Sequence, residues 1–256
     1  MTIQKSEAIL LAKRDIRETS AIVAFCTRDF GKIKGLIKGV RGPQAKFGLY
    51  LREFAKFDIV YYEKQRTDTY MVTQCDLKYA YTEIAEDFDK VIKAYYILEL
   101  VDKFTPLGEK SPETYDLLAW ILDFIAREKF VDSGIILFEL KLLEYSGLLP
   151  SLDFCTGCSK RPGREGYFSV RNGGLLCGDC SDSDIQAIRL SKGAASSINM
   201  IRKHKVENLG RLTITNTVSK ELRMLIDKFI EYHLGEHLKT RTFIKQVGTF
   251  HSVASP

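Results

Sequence analysis

No stretch of the 256-residue chain approaches the ~20 consecutive apolar residues that a membrane-spanning helix requires, which argues against a helical membrane protein. The N-terminal Met1-Thr-Ile-Gln-Lys-Ser-Glu7 lacks an apolar core followed by a cleavage site, so the expected location is the cytoplasm. There is no internal repeat and no low-complexity tract. The phosphate-cradling pattern G-x-x-x-x-G-K-[ST] is missing as well: Gly31-Lys-Ile-Lys-Gly35 is too short and lacks the Lys-Ser/Thr ending. H-E-x-x-H does not occur. His233-Leu-Gly-Glu-His237 has histidines four apart, but Gly235 between them is a helix stop. The carboxylates of residues 81–154 fall mainly on outer helix faces, so no pair is placed for general acid–base work. Enzymatic activity is not expected.

Cysteine is scarce, and its placement is informative. Four of the six cysteines form Cys155-Thr-Gly-Cys158 and Cys177-Gly-Asp-Cys180, two knuckles separated by eighteen residues. Such spacing lets two pairs of thiolates close a tetrahedron round one ion, and it predicts structural Zn2+. Between the knuckles, Gly166-Tyr-Phe-Ser-Val170 and Leu175-Leu176 read as strands joined by the turn Arg171-Asn-Gly-Gly174, a ribbon over residues 151–182. Two disulfides or a redox pair would use the same residues, but a chain of this size with no export signal needs no disulfide staples. A metallohydrolase would need an open coordination position, which four Cys ligands do not leave. Cys26 and Cys75 sit singly among strand-like residues, as buried small groups do.

Charge is distributed in blocks. Residues 1–80 carry 15 Lys and Arg against 9 Asp and Glu, a net +6. Residues 81–154 carry 7 against 15, a net −8, and residues 155–256 carry 16 against 9, a net +7. The basic blocks are candidates for polyanions. Hydrophobic periodicity changes at the first boundary. Over residues 1–80, five segments (Ser6–Lys13, Thr19–Thr27, Gly31–Gly39, Phe54–Tyr62 and Thr69–Leu77) read as strands of a small closed barrel, of OB or SH3-like type. From about Glu83 the spacing is helical. Ser111-Pro112 starts one helix, Asp132 or Ser133 another that Gly147 closes, and helices resume after the ribbon at Ser191–His204 and Val218–Leu234. The expected class is α+β and multi-domain, with an N-terminal barrel (1–80) and a helical domain (81–150 and 183–256) that carries the zinc ribbon.

The barrel holds the best binding candidates. Arg28, Lys32, Lys34, Lys38, Arg41, Lys46, Arg52 and Lys56 face only Asp29 and Glu53 in that stretch, with Phe30, Phe47, Tyr50, Phe54 and Phe57 interleaved. A positive groove that follows phosphates beside aromatic faces is how single-stranded nucleic acid is held. Most of these aromatics are expected in the core. Lys32, Lys34 and Leu36 share one strand face, and Lys38-Gly-Val-Arg41-Gly enters a glycine-rich loop.

Several stretches in order resemble RecO, the bacterial recombination mediator family. They are Ser6-Glu-Ala-Ile-Leu-Leu, Arg17-Glu-Thr-Ser, Phe25-Cys-Thr-Arg-Asp-Phe-Gly-Lys-Ile, Ile37-Lys-Gly-Val-Arg41, Leu98-Glu-Leu-Val-Asp and Phe138-Glu-Leu-Lys-Leu-Leu-Glu-Tyr-Ser-Gly147, with Gly173-Gly-Leu-Leu-Cys177 leading into the second knuckle. The resemblance implies an OB-fold, a helical domain and an embedded ribbon. It further implies binding of single- and double-stranded DNA, annealing of complementary strands, RecR and SSB as partners, and help in loading RecA, in a nucleoid-associated protein without catalytic turnover. Arg28, Lys32, Lys34, Lys38 and Arg41 match the family's DNA-contacting region. Departures are Gly42, where a second basic residue is frequent, and Ala45-Lys46-Phe47 in place of Ser-Arg-Phe, which removes a hydroxyl from the loop. The alternative reading is a zinc-ribbon protein of transcription or RNA metabolism, in which the ribbon itself reads nucleic acid.

Overall fold

The computed structural model describes residues 2–16, 18–40, 51–63, 67–149, 152–163, 166–235 and 237–247. Two compact units emerge, one built on Met1–Lys129 and the other on Phe130–Thr242.

The first unit begins with β1 (Thr2–Ile16), β2 (Ser20–Thr27), β3 (Gly31–Ile37), β4 (Ala55–Glu63) and β5 (Thr69–Ala80). They close into a barrel of order β1-β2-β3-β5-β4, every pairing antiparallel except β3 with β5. That order is the Greek-key arrangement of an OB-like barrel and decides between the two barrel types that strand count leaves open. Closure depends on β1. Its residues Thr2–Ile9 pair with β4 and Ala8–Ile16 with β2, a bulge between Leu10 and Ala12 turning the strand from one partner to the other. Alternation puts Ala8, Leu10, Val23, Phe25, Ile33, Phe57, Ile59 and Val72 inside. Each such aliphatic or aromatic side chain contributes on the order of 1.5–3 kcal/mol by leaving water. Glycine is required at Gly35, where a Cβ would stand 2.5 Å from Val72 Cγ2.

Three helices complete this unit: α1 (Thr82–Ala85), α2 (Phe88–Phe104) and α3 (Pro112–Arg127). The Asp87 carboxylate caps α2 by accepting from the Asp89 and Lys90 amides at 2.9 and 3.2 Å. Ser111 caps α3, with Pro112 at its first turn as expected from the sequence. These helices belong with the barrel. The helical set expected as a single domain is thus divided, because α2 and α3 lie along the barrel wall and are tied to it by the ion pairs described below.

In the second unit, α4 (Asp132–Tyr145) is followed by β6 (Gly166–Ser169), β7 (Gly174–Leu176) and β8 (Ile188–Leu190), then α5 (Lys192–Lys203) and α6 (Asn216–Leu234). Gly147, at φ 69°, ends the α4 segment while the Leu148 amide reaches back to the Leu143 carbonyl at 2.8 Å. Gly235, at φ 63°, caps α6 in the left-handed conformation. The ribbon hairpin β6–β7 turns through Gly173, at φ 63°. It gains a third strand, β8, giving the order β7-β6-β8, so the ribbon sheet extends past residue 182. Phe168 of β6 packs edge-on against Phe229 of α6 at 5.6 Å, anchoring ribbon to helix. A last helix, α7 (Lys239–Val247), begins in this unit, and its residues from Phe243 on are grouped with the first. No helix among the described residues is long and apolar enough to cross a membrane.

Candidate nucleic-acid interface and metal centre

Strand β3 turns Ile33, Gly35 and Ile37 into the barrel and Lys32, Lys34 and Leu36 outward, the alternation legible in its sequence. The outer residues have different surroundings. Lys32 is almost enclosed, its side chain 11% exposed, with its ammonium 3.3 Å from the Asp102 carboxylate of α2 and also donating to the Asp102 carbonyl. Beside it, the Gly108 amide donates to the Lys32 carbonyl at 2.8 Å. Lys32, expected from the sequence to meet phosphate, thus lies at the barrel–helix seam with its ammonium against Asp102. Lys56 is likewise occupied, 3.4 Å from Asp123 of α3.

Lys34 and Lys38 are exposed, and no carboxylate among the described residues pairs with either. Arg28 is half exposed and only loosely held, 3.8 Å from Glu7 and 3.5 Å from Asp116. Arg52 is exposed. Arg41, Lys46 and Ala45 lie outside the described residues, as do Phe47 and Tyr50. Of the other interleaved aromatics, Phe54 and Phe57 are buried: Phe57 packs on Phe25 at 6.1 Å and Phe54 on Tyr95 at 4.9 Å. Phe30 packs edge-on against Tyr61 at 5.9 Å and beneath the Lys110 ammonium.

In the second unit, the four thiols of Cys155, Cys158, Cys177 and Cys180 converge, all Sγ atoms within 4.8 Å of one another. The Cys158 and Cys177 sulfurs are 3.7 Å apart. A disulfide would need ~2.05 Å, whereas tetrahedral ligands on ~2.3 Å metal bonds stand about 3.8 Å apart. The knuckle backbone is shaped for thiolates. The Gly157 and Cys177 amides donate to Cys155 Sγ at 3.4 and 3.2 Å. Burial opposes ionisation of Cys155, but these backbone donors outweigh it and lower the thiol to about 6. Cys180 is pushed the other way, to about 12, chiefly by its hydrogen bonds with the Cys177 and Cys158 sulfurs. Ser159 adopts φ 59° to close the first knuckle, and Gly157 leaves room for Cys180, whose sulfur would lie 3.1 Å from any added Cβ. The donor set fits a soft divalent cation, fully enclosed by four sulfurs. Cys26 and Cys75 stand apart from this cluster, buried in the first unit, and burial raises both thiols to about 12.

Fold and cysteine cluster together define a class of protein: an OB-like barrel with attached helices, joined in one chain to a helical unit that carries a four-cysteine cluster able to hold a metal ion. The chain belongs to the recombination protein O family. The family model for the N-terminal part matches residues 1–81, and that for the C-terminal part matches residues 85–242. Curated relatives span nearly the whole chain. A DNA repair protein RecO of Desulforamulus reducens is 30% identical over 250 residues, covering 96% of this chain and 96% of that protein. Those of Moorella thermoacetica and Bacillus pumilus are 27% identical over 248 residues and 28% identical over 245, each covering 95% of this chain.

Proposed function

We propose that this protein is a non-enzymatic recombination mediator in DNA repair. It binds single- and double-stranded DNA through the barrel, anneals complementary strands and, with RecR, helps load RecA onto SSB-coated DNA. The observation that carries this reading is the end-to-end match to the recombination protein O family, joined to a barrel wall on which Lys34 and Lys38 are exposed and pair with no carboxylate among the described residues. Arg28, Arg52, Arg41 and Lys46 are assigned to DNA contact by the sequence pattern. Zn2+ is the ion proposed for the four cysteines, in a supporting role, since four thiolates leave no position for a reacting water.

Annealing of complementary SSB-coated strands, with and without RecR, tests the reading. Annealing that needs this protein and persists without nucleotide hydrolysis supports it; no annealing and no DNA retention would refute it. A Cys177→Ser, Cys180→Ser variant separates the ribbon alternative. Loss of DNA binding by a protein that remains folded would transfer the contact from barrel to ribbon.

A further inference from the structure

The four cysteines of the cluster are unequally shielded. Cys155 and Cys177 are 2% and 9% exposed, whereas Cys180 is partly exposed and Cys158 is open to solvent. Cys158 stands in the turn Thr156-Gly157-Cys158-Ser159-Lys160, every residue of which is exposed. The turn is held by the Ser159 amide on the Cys155 carbonyl and the Cys155 amide on the Lys160 carbonyl, both at 2.8 Å. The Lys160 amide also donates to the Cys158 sulfur, which favours a thiolate there. The site therefore has a closed side and an open one.

The cluster also makes up most of its own core. The buried residues around it are Cys155, Leu176 and Cys177, with Tyr167, Cys180 and Ala187 packed against them. Two of those three buried residues are ligands, so little apolar packing would hold the knuckles together once the thiolates let go. The other face of β6 is supported differently. Phe168 there is buried against Phe229 of α6 at 5.6 Å, with no sulfur involved. One end of the ribbon depends on the four sulfurs, the other on aromatic packing.

We infer that the cluster is a peroxide-responsive latch: oxidation begins at Cys158 and closes a Cys158–Cys177 disulfide, and the knuckle end of the ribbon opens while the Phe168 end stays packed. This rests on the reading of the four cysteines as a metal site. In the first step the Cys158 thiolate attacks hydrogen peroxide, the O–O bond breaks, and a sulfenic acid forms with release of hydroxide. The Cys177 sulfur lies 3.7 Å away. Its thiolate attacks the Cys158 sulfur, an S–S bond replaces the S–O bond, and a second hydroxide leaves. The two sulfurs give up two electrons, and peroxide ends as two waters after taking two protons. Cys155 and Cys180 alone are too few thiolates to hold an ion. Coordination occupies the sulfur lone pairs and slows every attack, so oxidation needs peroxide in excess and time, and brief labelling with a thiol reagent leaves the bound site intact.

The test treats the full-length, Zn2+-loaded protein with excess hydrogen peroxide. Released Zn2+ is followed with a chromophoric chelator, and disulfides are mapped by mass spectrometry after the remaining thiols are trapped in denaturant. About one Zn2+ should be released per Cys158–Cys177 disulfide formed, and dithiothreitol with Zn2+ should reverse both. Amide hydrogen exchange should rise at Thr156–Lys160 and stay unchanged in α6. Cys158→His, which keeps a fourth ligand but removes the attacking sulfur, should release Zn2+ about tenfold more slowly. The map of the wild-type protein needs no variant and decides the matter even where Cys158→His folds poorly. Zn2+ retained under excess peroxide overturns the inference, as does a first disulfide without Cys158, or exchange that rises equally in α6. Wild-type protein that takes up no Zn2+ overturns the metal reading as well, which the loading step shows before any peroxide is added.

Discussion

Lys32 and Asp102, seventy residues apart, meet at 3.3 Å across the seam between β3 and α2, and the lysine side chain is 11% exposed. The lysine end is shielded from solvent while Asp102 is 35% exposed, so the pair stands between a surface bridge worth a few tenths of a kcal/mol and a buried one. Removing Lys32 takes away this pair, its bond to the Asp102 carbonyl and the packing of its stem. Lys32→Ala is expected to cost about 1–3 kcal/mol of stability, measured by denaturant unfolding, and to change single-strand affinity less than twofold. Lys34→Ala should show the reverse: an unchanged unfolding midpoint and weakened binding.

Gly31 opens β3 at φ 68°, with the backbone of Glu109 pressed against it. A Cβ placed there would lie 1.8 Å from the Glu109 carbonyl oxygen. Backbone strain and a clash with main-chain atoms act together, so Gly31→Ala should destabilise by more than about 3 kcal/mol. Gly39 is also at positive φ, but nothing lies within 4 Å of its Cβ position. Gly39→Ala should therefore cost only about 1 kcal/mol, from the conformation alone. Thermal melts of the two variants check the difference.

The six thiols should divide by environment. In the metal-free folded protein, Cys155 is lowered to about 6 and is a thiolate at neutral pH, whereas Cys26 and Cys75, raised to about 12, remain protonated and enclosed. A thiol reagent at pH 7.5 should modify Cys155 ahead of Cys180 after chelation, none of the four ribbon cysteines when the metal is bound, and Cys26 and Cys75 only on unfolding. Mass spectrometry of the labelled peptides reads this out.

Metal loading should be proton-linked. Cys180, held at about 12 without metal, loses its proton to solvent when the ion binds its sulfur, so binding releases protons and affinity rises with pH. Acidification through about 6 protonates Cys155 too and should release the metal more steeply. Titration calorimetry with Zn2+ in buffers of different ionisation enthalpy counts the protons. Chelation should lower the melting temperature of the second unit while DNA binding by the barrel persists.

Local features were readable from the residues. The β3 alternation, the Ser111-Pro112 start, the stops at Gly147 and Gly235, and the two knuckles each depend on neighbours within a few positions. What stayed hidden depends on distant partners. Lys32 and Lys34 look equivalent in sequence and are separated only by Asp102, which α2 brings to one of them. Closure of the barrel depends on β3 lying parallel beside β5, a pairing no periodicity encodes. The strand Ile188–Leu190 is three residues long, too short to alternate visibly, and is held by its pairing with β6. The placement of α1–α3 with the barrel was equally invisible, since amphipathic helices do not announce which surface they cover.

The barrel wall is proposed to hold DNA by its phosphates, and the salt dependence of single-strand binding tests this most directly. Affinity for a thymidine oligonucleotide is measured across a range of salt for wild type and for Lys34→Gln/Lys38→Gln. Each phosphate contact contributes about 0.7 to the slope of log affinity against log salt. The variant should bind more weakly, with a slope shallower by about 1.4. The same affinity and slope as wild type would contradict the account.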